Sequence, residues 1–128
     1  MIALDASALM AIILGEPEAA ACREVVRAND DFLISAPNLT ESLVAAARRG
    51  VHDEMARLIE ALAPAVVSLT EDRAYAALRA YRRWGKGFHE AKLNFGDSFA
   101  YALAKEHDCP LLFVGDDFAR TDIASALG

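Results

Sequence analysis

Cysteine and histidine are scarce in this chain of 128 residues, which contains two cysteines and three histidines. Cys22 and Cys109 stand far apart among apolar neighbours, a setting typical of small buried side chains and not of a disulfide framework. The segment "HDC" at 107–109 lacks the paired spacing of a zinc site. The sequence therefore predicts neither disulfide-based stability nor zinc chemistry.

Long hydrophobic runs are also absent. The longest ones, such as "ALMAIIL" at 8–14, are far shorter than the roughly 20 residues that a transmembrane helix needs. The first residues do not resemble a signal peptide, because Asp5 interrupts them and no Lys or Arg precedes it. We therefore expect a cytoplasmic protein that has no membrane partner.

Apolar strand-like segments alternate with amphipathic helical segments along the whole chain. The predicted strands cover 1–4, 31–36, 65–69 and 110–114, and the predicted helices cover 5–16, 16–29, 37–50, 52–63, 70–84 and 94–108. Pro17 suits the first turn of the second helix, and Thr70 is the expected cap of the fifth. This alternation predicts a single α/β domain spanning 1–128, a three-layer α/β/α arrangement around a parallel sheet.

Four acidic residues occur where predicted strands end or the following helices begin. Asp5 follows the first strand, Glu41 lies in the first turns of the helix after the second strand, Asp97 opens the last helix, and Asp116 follows the last strand. Each one alone has an ordinary structural explanation. Asp5 could cap a helix, and Asp116 could be a turn residue beside Asp117.

Capping pairs could explain the other two acids in the same way. Glu41 comes three residues after Asn38, and Asp97 comes three residues after Asn94, both of which match a helix capping box. Ser7 is expected either to start a helix or to donate a hydrogen bond to Asp5, since no His and Asp accompany it in the order of a serine nucleophile.

Considered together, the four acids favour a metal site. The carboxyl ends of parallel strands share one edge of the sheet, where four carboxylates would repel each other unless they were protonated or held a cation. Oxygen ligands without adjacent His or Cys suit Mg²⁺ or Mn²⁺. Such an ion can activate water and stabilise a leaving oxygen, which is the chemistry of phosphodiester hydrolysis.

Three segments give the chain a resemblance to a known family. They read "MIALDASALMAIILGEPE", "PNLTESLVAAARRG" and "LNFGDSFAYALAKEHDCPLLFVGDDFARTDI", and together they span most of the chain. They are similar to the PIN domain, and in particular to the VapC ribonuclease toxins of bacterial toxin–antitoxin pairs. The resemblance implies a Mg²⁺-dependent endoribonuclease that forms a homodimer and is inhibited by a cognate antitoxin protein.

The resemblance also implies roles for the four acids. Asp5, Glu41, Asp97 and Asp116 would form the catalytic pocket, in which Asp5, Asp97 and Asp116 ligate the metal. Many relatives carry Ser or Thr just before the fourth acid, whereas Val114 and Gly115 precede Asp116 here. This departure leaves Asp117 open as an additional or replacement acid, with Asp122 as a remoter candidate.

The net charge of −6 argues against a nucleic-acid partner, but the four pocket acids account for much of it. Cations and aromatic rings are interleaved in "RAYRRWGKGFHEAK" at 79–92, a composition suited to single-stranded RNA. The candidate RNA-binding residues are Arg48, Arg82, Arg83 and Lys86. Helix-terminal cations and core aromatic residues are the alternative interpretation.

Hydrolysis of RNA to leave a 5′-phosphate is the first functional hypothesis. The alternative is a non-catalytic PIN-like module that binds a partner or dimerises, although such a scaffold would gain nothing from crowded carboxylates. A phosphoryl-accepting receiver domain is a third possibility. The position of Glu41 inside a helix and the lack of an evident Lys after a late strand argue against it.

Overall fold

The computed structural model describes residues 1–128 and contains a four-stranded sheet in which all strands are parallel, in the order β3-β2-β1-β4. The strands are β1 (Ile2–Leu4), β2 (Phe32–Ser35), β3 (Ala65–Val67) and β4 (Leu111–Leu112). In the inner strand β1, Ala3 pairs with Leu33 of β2 on one side and with Leu111 of β4 on the other. The predicted parallel α/β architecture is confirmed.

Six α-helices cover both faces of this sheet. They are α1 (Ala6–Leu14), α2 (Ala19–Ala28), α3 (Ala36–Arg48), α4 (His52–Leu62), α5 (Glu71–Trp84) and α6 (Phe95–Glu106). Side chains alternate along β1, so Ile2 and Leu4 join a core formed with the first four helices. Ala3 joins a second core formed with α5 and α6. Two cores on opposite faces of the sheet give the domain three layers.

None of the helices is both long enough and apolar enough to cross a membrane.

Local capping signals define several helix ends. The Asp5 side chain accepts a hydrogen bond from the Ser7 N–H, and the Thr70 hydroxyl accepts one from the Arg73 N–H, as the sequence predicts. One boundary prediction was wrong. Because α2 begins at Ala19, Pro17 lies in the preceding turn and not in the first turn of the helix.

The last strand is shorter than predicted, and this shortening shapes the edge of the sheet. Ladder pairing stops at Leu112, and the N–H of Val114 donates to the Ser7 hydroxyl at 3.0 Å instead of to a strand. Gly115 then adopts φ 104°, a left-handed conformation that glycine tolerates without strain. The backbone therefore turns before the two acids that follow it.

The C-terminal segment is fixed to α5 and α6 by an aromatic pair, the half-buried Trp84 and the buried Tyr101. Trp84 Nε1 donates to the Tyr101 hydroxyl at 2.9 Å, and that hydroxyl donates to Asp122 Oδ1 at 2.6 Å. Lys105 Nζ lies 3.1 Å from the other oxygen of Asp122. Burial and the bond to Asp122 raise the pKa of Tyr101 to about 12. Asp122 therefore has a structural role, and its consideration as a remoter pocket acid was wrong.

Candidate active site

A cavity of about 190 Å³ opens at the carboxyl edge of the sheet, and four carboxyl groups line it. They come from four separate segments: Asp5 after β1, Glu41 in the second turn of α3, Asp97 in the first turn of α6, and Asp117 after β4. Parallel strands bring these segments to one edge, as the sequence analysis expected. We call this cavity the acid pocket.

The fourth position differs from the first choice made from the sequence. Both Asp116 and Asp117 are exposed, but Asp117 lines the acid pocket and Asp116 does not. The turn at Gly115 carries Asp116 toward solvent, and Asp117 directly precedes a 3₁₀-helix (Phe118–Arg120) that packs its buried Phe118 on the core. Of the two adjacent acids, Asp117 is the one whose charge acts on the pocket.

Asp5 lies at the bottom of the pocket and is almost completely buried, with 3 % of its surface exposed. Its Oδ2 accepts hydrogen bonds from both the N–H and the hydroxyl of Ser7, which confirms the expected contact between these residues. Its Oδ1 is buried and has no hydrogen-bond partner. Burial raises the pKa of Asp5, and the negative charge of Asp117 adds to this effect, while the bonds from Ser7 oppose it.

Asp97 serves the fold and the pocket at once. It forms a capping box in which the Asn94 side chain accepts from the Asp97 N–H at 2.9 Å, and Asp97 Oδ2 accepts from the Asn94 N–H at 3.0 Å. The predicted capping pair is therefore present. Burial, and then the charges of Asp5, Asp117 and Glu41, raise the pKa of Asp97 to about 7.

Glu41 is held by a hydrogen bond from the side chain of Asn38, a residue that the sequence predicts to be a helix cap. Because α3 begins at Ala36, Asn38 lies inside the helix, and the predicted capping pair of Asn38 with Glu41 was wrong. Asn38 is fully buried, and its Nδ2 donates to Glu41 Oε1 at 3.2 Å and to the Gly96 carbonyl at 2.9 Å. Burial and the charge of Asp5 raise the pKa of Glu41, which the bond from Asn38 opposes.

The candidate RNA-binding cations are distributed over separate surfaces. Arg48 lines a groove of about 370 Å³ that shares Glu41 with the acid pocket. Arg82 and Lys86 are exposed and line neither the pocket nor this groove. Arg83 lies over the Trp84 ring at 4.8 Å and 3.9 Å from Asp122, so it packs against the C-terminal segment.

Comparison with known proteins supplies the family. The family model described as "PIN domain" matches residues 2–124. Ribonuclease VapC42 of Mycobacterium tuberculosis is 41% identical over 128 residues, which cover 96% of this chain and 97% of the relative. This chain belongs to the VapC family of PIN-domain ribonucleases. A second VapC family member, ribonuclease VapC30 of the same organism, is 42% identical over 125 residues and is covered over 95% of both chains.

Solved structures of VapC-like proteins have the same fold. The crystal structure of Mycobacterium tuberculosis VapC20, titled a sarcin-ricin loop cleaving toxin, superimposes with a TM-score of 0.79 at 17% identity over 97% of both chains. A toxin–antitoxin complex from Klebsiella pneumoniae superimposes with a TM-score of 0.71 at 19% identity, covering 95% of this chain and 93% of that one. At these identities the likeness concerns the fold alone.

The acid pocket has the chemistry of a divalent metal site of the kind that VapC-family nucleases use. Its donors are all oxygens, which hard cations prefer, and the unpartnered Oδ1 of Asp5 faces no competing hydrogen-bond donor. In their present orientations, the acidic, histidine and cysteine side chains do not form any group of three or more that could bind a metal ion. The residue types fit the ion, and binding would require the carboxylates to turn toward it.

Crowded carboxylates should make the metal-free protein less stable as the pH rises. The folded pKa of Asp97 is about 7, above the roughly 3.9 of an unfolded aspartate, so the folded state retains a proton that the unfolded state releases between these values. The contribution of protonated Asp97 to the free energy of unfolding is therefore present at acidic pH and is lost as the pH rises through 7. In EDTA we expect the free energy of unfolding in urea to fall by about 2 kcal/mol between pH 5 and pH 8.

Mg²⁺ added at pH 8 should restore most of that loss, because a bound cation replaces the proton. The exposed Asp53→Asn variant is the control and should follow the unmodified protein. Equal stability in EDTA at pH 5 and pH 8 would show that the carboxylates do not repel each other as described.

Proposed function

We propose that this chain is a metal-dependent endoribonuclease toxin that hydrolyses RNA phosphodiester bonds in the acid pocket. The observation that carries this proposal is the meeting of Asp5, Glu41, Asp97 and Asp117 in one cavity, in which Asp5 and Asp97 are buried. The fold would be more stable without this much negative charge, so its presence is best explained by the binding of a cation. The VapC ribonucleases among the relatives support the same activity.

Each acid has a distinct part in the proposed site. Asp5, Asp97 and Asp117 would hold the ion, for which Mg²⁺ is our first choice and Mn²⁺ the second. A bound ion of this kind activates water and stabilises the leaving oxygen, leaving a 5′-phosphate. Glu41 lines the same pocket as these ligands and is held there by Asn38, which suits a group that orients the attacking water and accepts its proton.

Two neighbouring side chains hold these acids in position. Ser7 fixes Asp5 Oδ2, and because it also accepts from Val114 it joins the ends of β1 and β4. Asn38 fixes Glu41 and joins α3 to the first turn of α6. Asp5 and Glu41 are therefore held in position before substrate arrives, although the carboxylates would still have to turn toward a bound ion.

Cleavage of a labelled mixed RNA pool by the purified protein, in Mg²⁺ or in EDTA, tests the proposal. We expect cleavage in Mg²⁺ and none in EDTA. Asp117→Asn should lower the rate by at least about 100-fold, because it removes a proposed ligand. The adjacent Asp116→Asn is the matched control and should retain most of the activity, since Asp116 lies outside the pocket.

Two results would contradict this assignment. Cleavage that persists in EDTA would exclude the metal-dependent mechanism. Absence of cleavage by folded protein free of other chains, together with no Mg²⁺ binding to the pocket by calorimetry, would favour the alternative function, a non-catalytic interaction module. Greater loss in Asp116→Asn than in Asp117→Asn would instead restore Asp116 as the fourth acid.

We also propose that RNA extends from the acid pocket over two exposed cationic positions. Arg48 is the nearer one, because its groove shares the lining residue Glu41 with the pocket. Arg82 and Lys86 form the second position, and both are exposed, as is Phe88, which follows them closely in the sequence. Arg83 contributes less to RNA binding in this scheme, because Trp84 and Asp122 already engage it.

We propose a homodimer that forms through exposed apolar surface around α5. The first two helices do not offer such a surface, because most of their apolar side chains pack into the core. Around α5, the exposed Leu69 and Leu78 and the half-buried Tyr81 line a groove of about 480 Å³. Such an exposed groove is typical of a protein interface.

Sedimentation of the purified protein at low micromolar concentration tests this interface. We expect a dimer, and we expect Leu78→Glu to convert it to a monomer because a charge would be buried in the interface. Leu127→Glu is the control, since Leu127 is also partly exposed but lies outside the groove. A monomeric unmodified protein, or a dimer that survives Leu78→Glu, would exclude the proposed surface.

We propose a cognate antitoxin protein as the second partner, since one fold neighbour is a toxin–antitoxin complex. Adding the antitoxin should abolish Mg²⁺-dependent cleavage.

We also propose that the nuclease activity takes place in the cytoplasm, where cellular RNA is translated. We assign this activity to a single domain that spans residues 1–128.

A further inference from the structure

Phe95 is the most solvent-exposed of the large hydrophobic side chains, with 75% of its surface accessible. It is the first residue of α6 and stands two positions before Asp97. Its ring makes an edge-to-face contact with Phe99, with centroids 5.0 Å apart and planes at 87°. An aromatic ring held in this way by a second ring presents a fixed surface to solvent, and the groove that Phe95 lines shares Glu41 with the acid pocket.

The groove beside Phe95 has the composition of a nucleotide site. Phe95, Arg48 and Thr40 line it, and it shares Glu41 with the acid pocket. Arg48 has no acidic partner within ion-pair distance, so its charge is available to an anion. An aromatic ring stacks on any nucleobase, and an unpaired cation beside it can bind the adjoining phosphate.

We propose that this groove binds the RNA nucleotide next to the scissile phosphate, with its base stacked on Phe95 and its phosphate on Arg48. The inference rests on the proposed nuclease function and deepens it, because it assigns a substrate contact to a residue outside the carboxylate set. Phe95 holds the base, and Arg48 holds the backbone. Stacking of this kind tolerates every base, so it positions the strand without selecting a sequence.

A second copy of the chain is the competing occupant of the Phe95 surface. Phe95 also borders the apolar groove around Leu78, which is the proposed dimer surface. The two grooves differ in their lining: the groove on the Arg48 side is lined by that cation and by Glu41, whereas the Leu78 groove is lined almost entirely by apolar side chains. A polyanion with aromatic bases fits the first, so we assign the ring to RNA.

Fluorescence anisotropy in EDTA tests the proposal without requiring cleavage. One probe is a fluorescein-labelled single-stranded RNA of eight mixed nucleotides, and the other is an abasic chain of the same length. Phe95→Leu should bind the mixed RNA roughly tenfold more weakly and the abasic chain unchanged, whereas Phe95→Trp should bind the RNA at least as well as the unmodified protein. Arg48→Gln should weaken both probes and reduce the salt dependence of log K by about 0.7.

Several outcomes would overturn the subsite. These are unmodified protein that fails to bind the mixed RNA, Phe95→Leu binding that matches the unmodified protein, and equal losses for both probes. Loss of a dimer on Phe95→Leu without loss of RNA binding would assign the ring to a second copy instead. Failure of the nuclease function is distinguishable, because base-dependent binding in EDTA without cleavage in Mg²⁺ would contradict the function and leave the subsite in place.

Discussion

Asp97→Asn is expected to lower Mg²⁺-dependent RNA cleavage by at least about 10³-fold while leaving the fold intact. An asparagine oxygen can still accept the hydrogen bond from the Asn94 N–H, so the cap of α6 is preserved. The substitution removes a negative charge from a site where burial and three other carboxylates disfavour it. The variant should therefore lose the metal and the activity together.

Stability measurements distinguish this explanation from misfolding. In EDTA at pH 8, Asp97→Asn should unfold at higher urea concentration than the unmodified protein, because the charge that destabilises the metal-free pocket is gone. Its stabilisation by Mg²⁺ should be much smaller. A variant that is less stable than the unmodified protein under these conditions, or that cleaves RNA normally, would show that Asp97 acts only as a cap.

Gly96→Ala is expected to lower cleavage on the order of 100-fold with little change in stability. A Cβ at position 96 would overlap the carboxylate of Glu41, while no backbone atom is among the nearest atoms it would meet. Glu41 can move aside, so the cost to the fold is small, and alanine also favours a helix over glycine by up to about 1 kcal/mol. The displaced carboxylate would leave the position in which Asn38 holds it.

A double-mutant cycle isolates this effect. Glu41→Gln should lose activity by an amount similar to Gly96→Ala, and the variant carrying both changes should lose little more than either, because both act through the same carboxylate. Urea unfolding supplies the check on folding. Additive losses, or a large loss of stability in Gly96→Ala, would mean that Gly96 acts on the fold and not on Glu41.

Much of the pocket could be predicted from the sequence because local rules decide its parts. Short apolar runs alternating with helical segments predict a parallel sheet, and a parallel sheet places Asp5, Glu41 and Asp97 at one edge. The caps at Asp5, Thr70 and Asn94 depend on residues within three positions of each other. Interactions this short are encoded in neighbouring residues.

The remaining features depend on contacts between distant segments. Whether Asp116 or Asp117 faces the pocket is decided by the hydrogen bond from Val114 to Ser7 and by the turn at Gly115, which together end β4 early. The contact of Asn38 with Gly96 joins residues 58 positions apart. Neither can be derived from spacing along the chain.

The sequence by itself determined the fold class and three of the four acids in the acid pocket, because hydrophobic periodicity and capping chemistry act over a few residues. It indicated the family through the resemblance of three segments to VapC ribonucleases. The tertiary structure decided that Asp117 is the fourth acid, that Asp122 anchors the C-terminal segment through Tyr101, and that exposed apolar surface gathers around α5 and Phe95. These choices follow from packing, which determines the direction in which each side chain points.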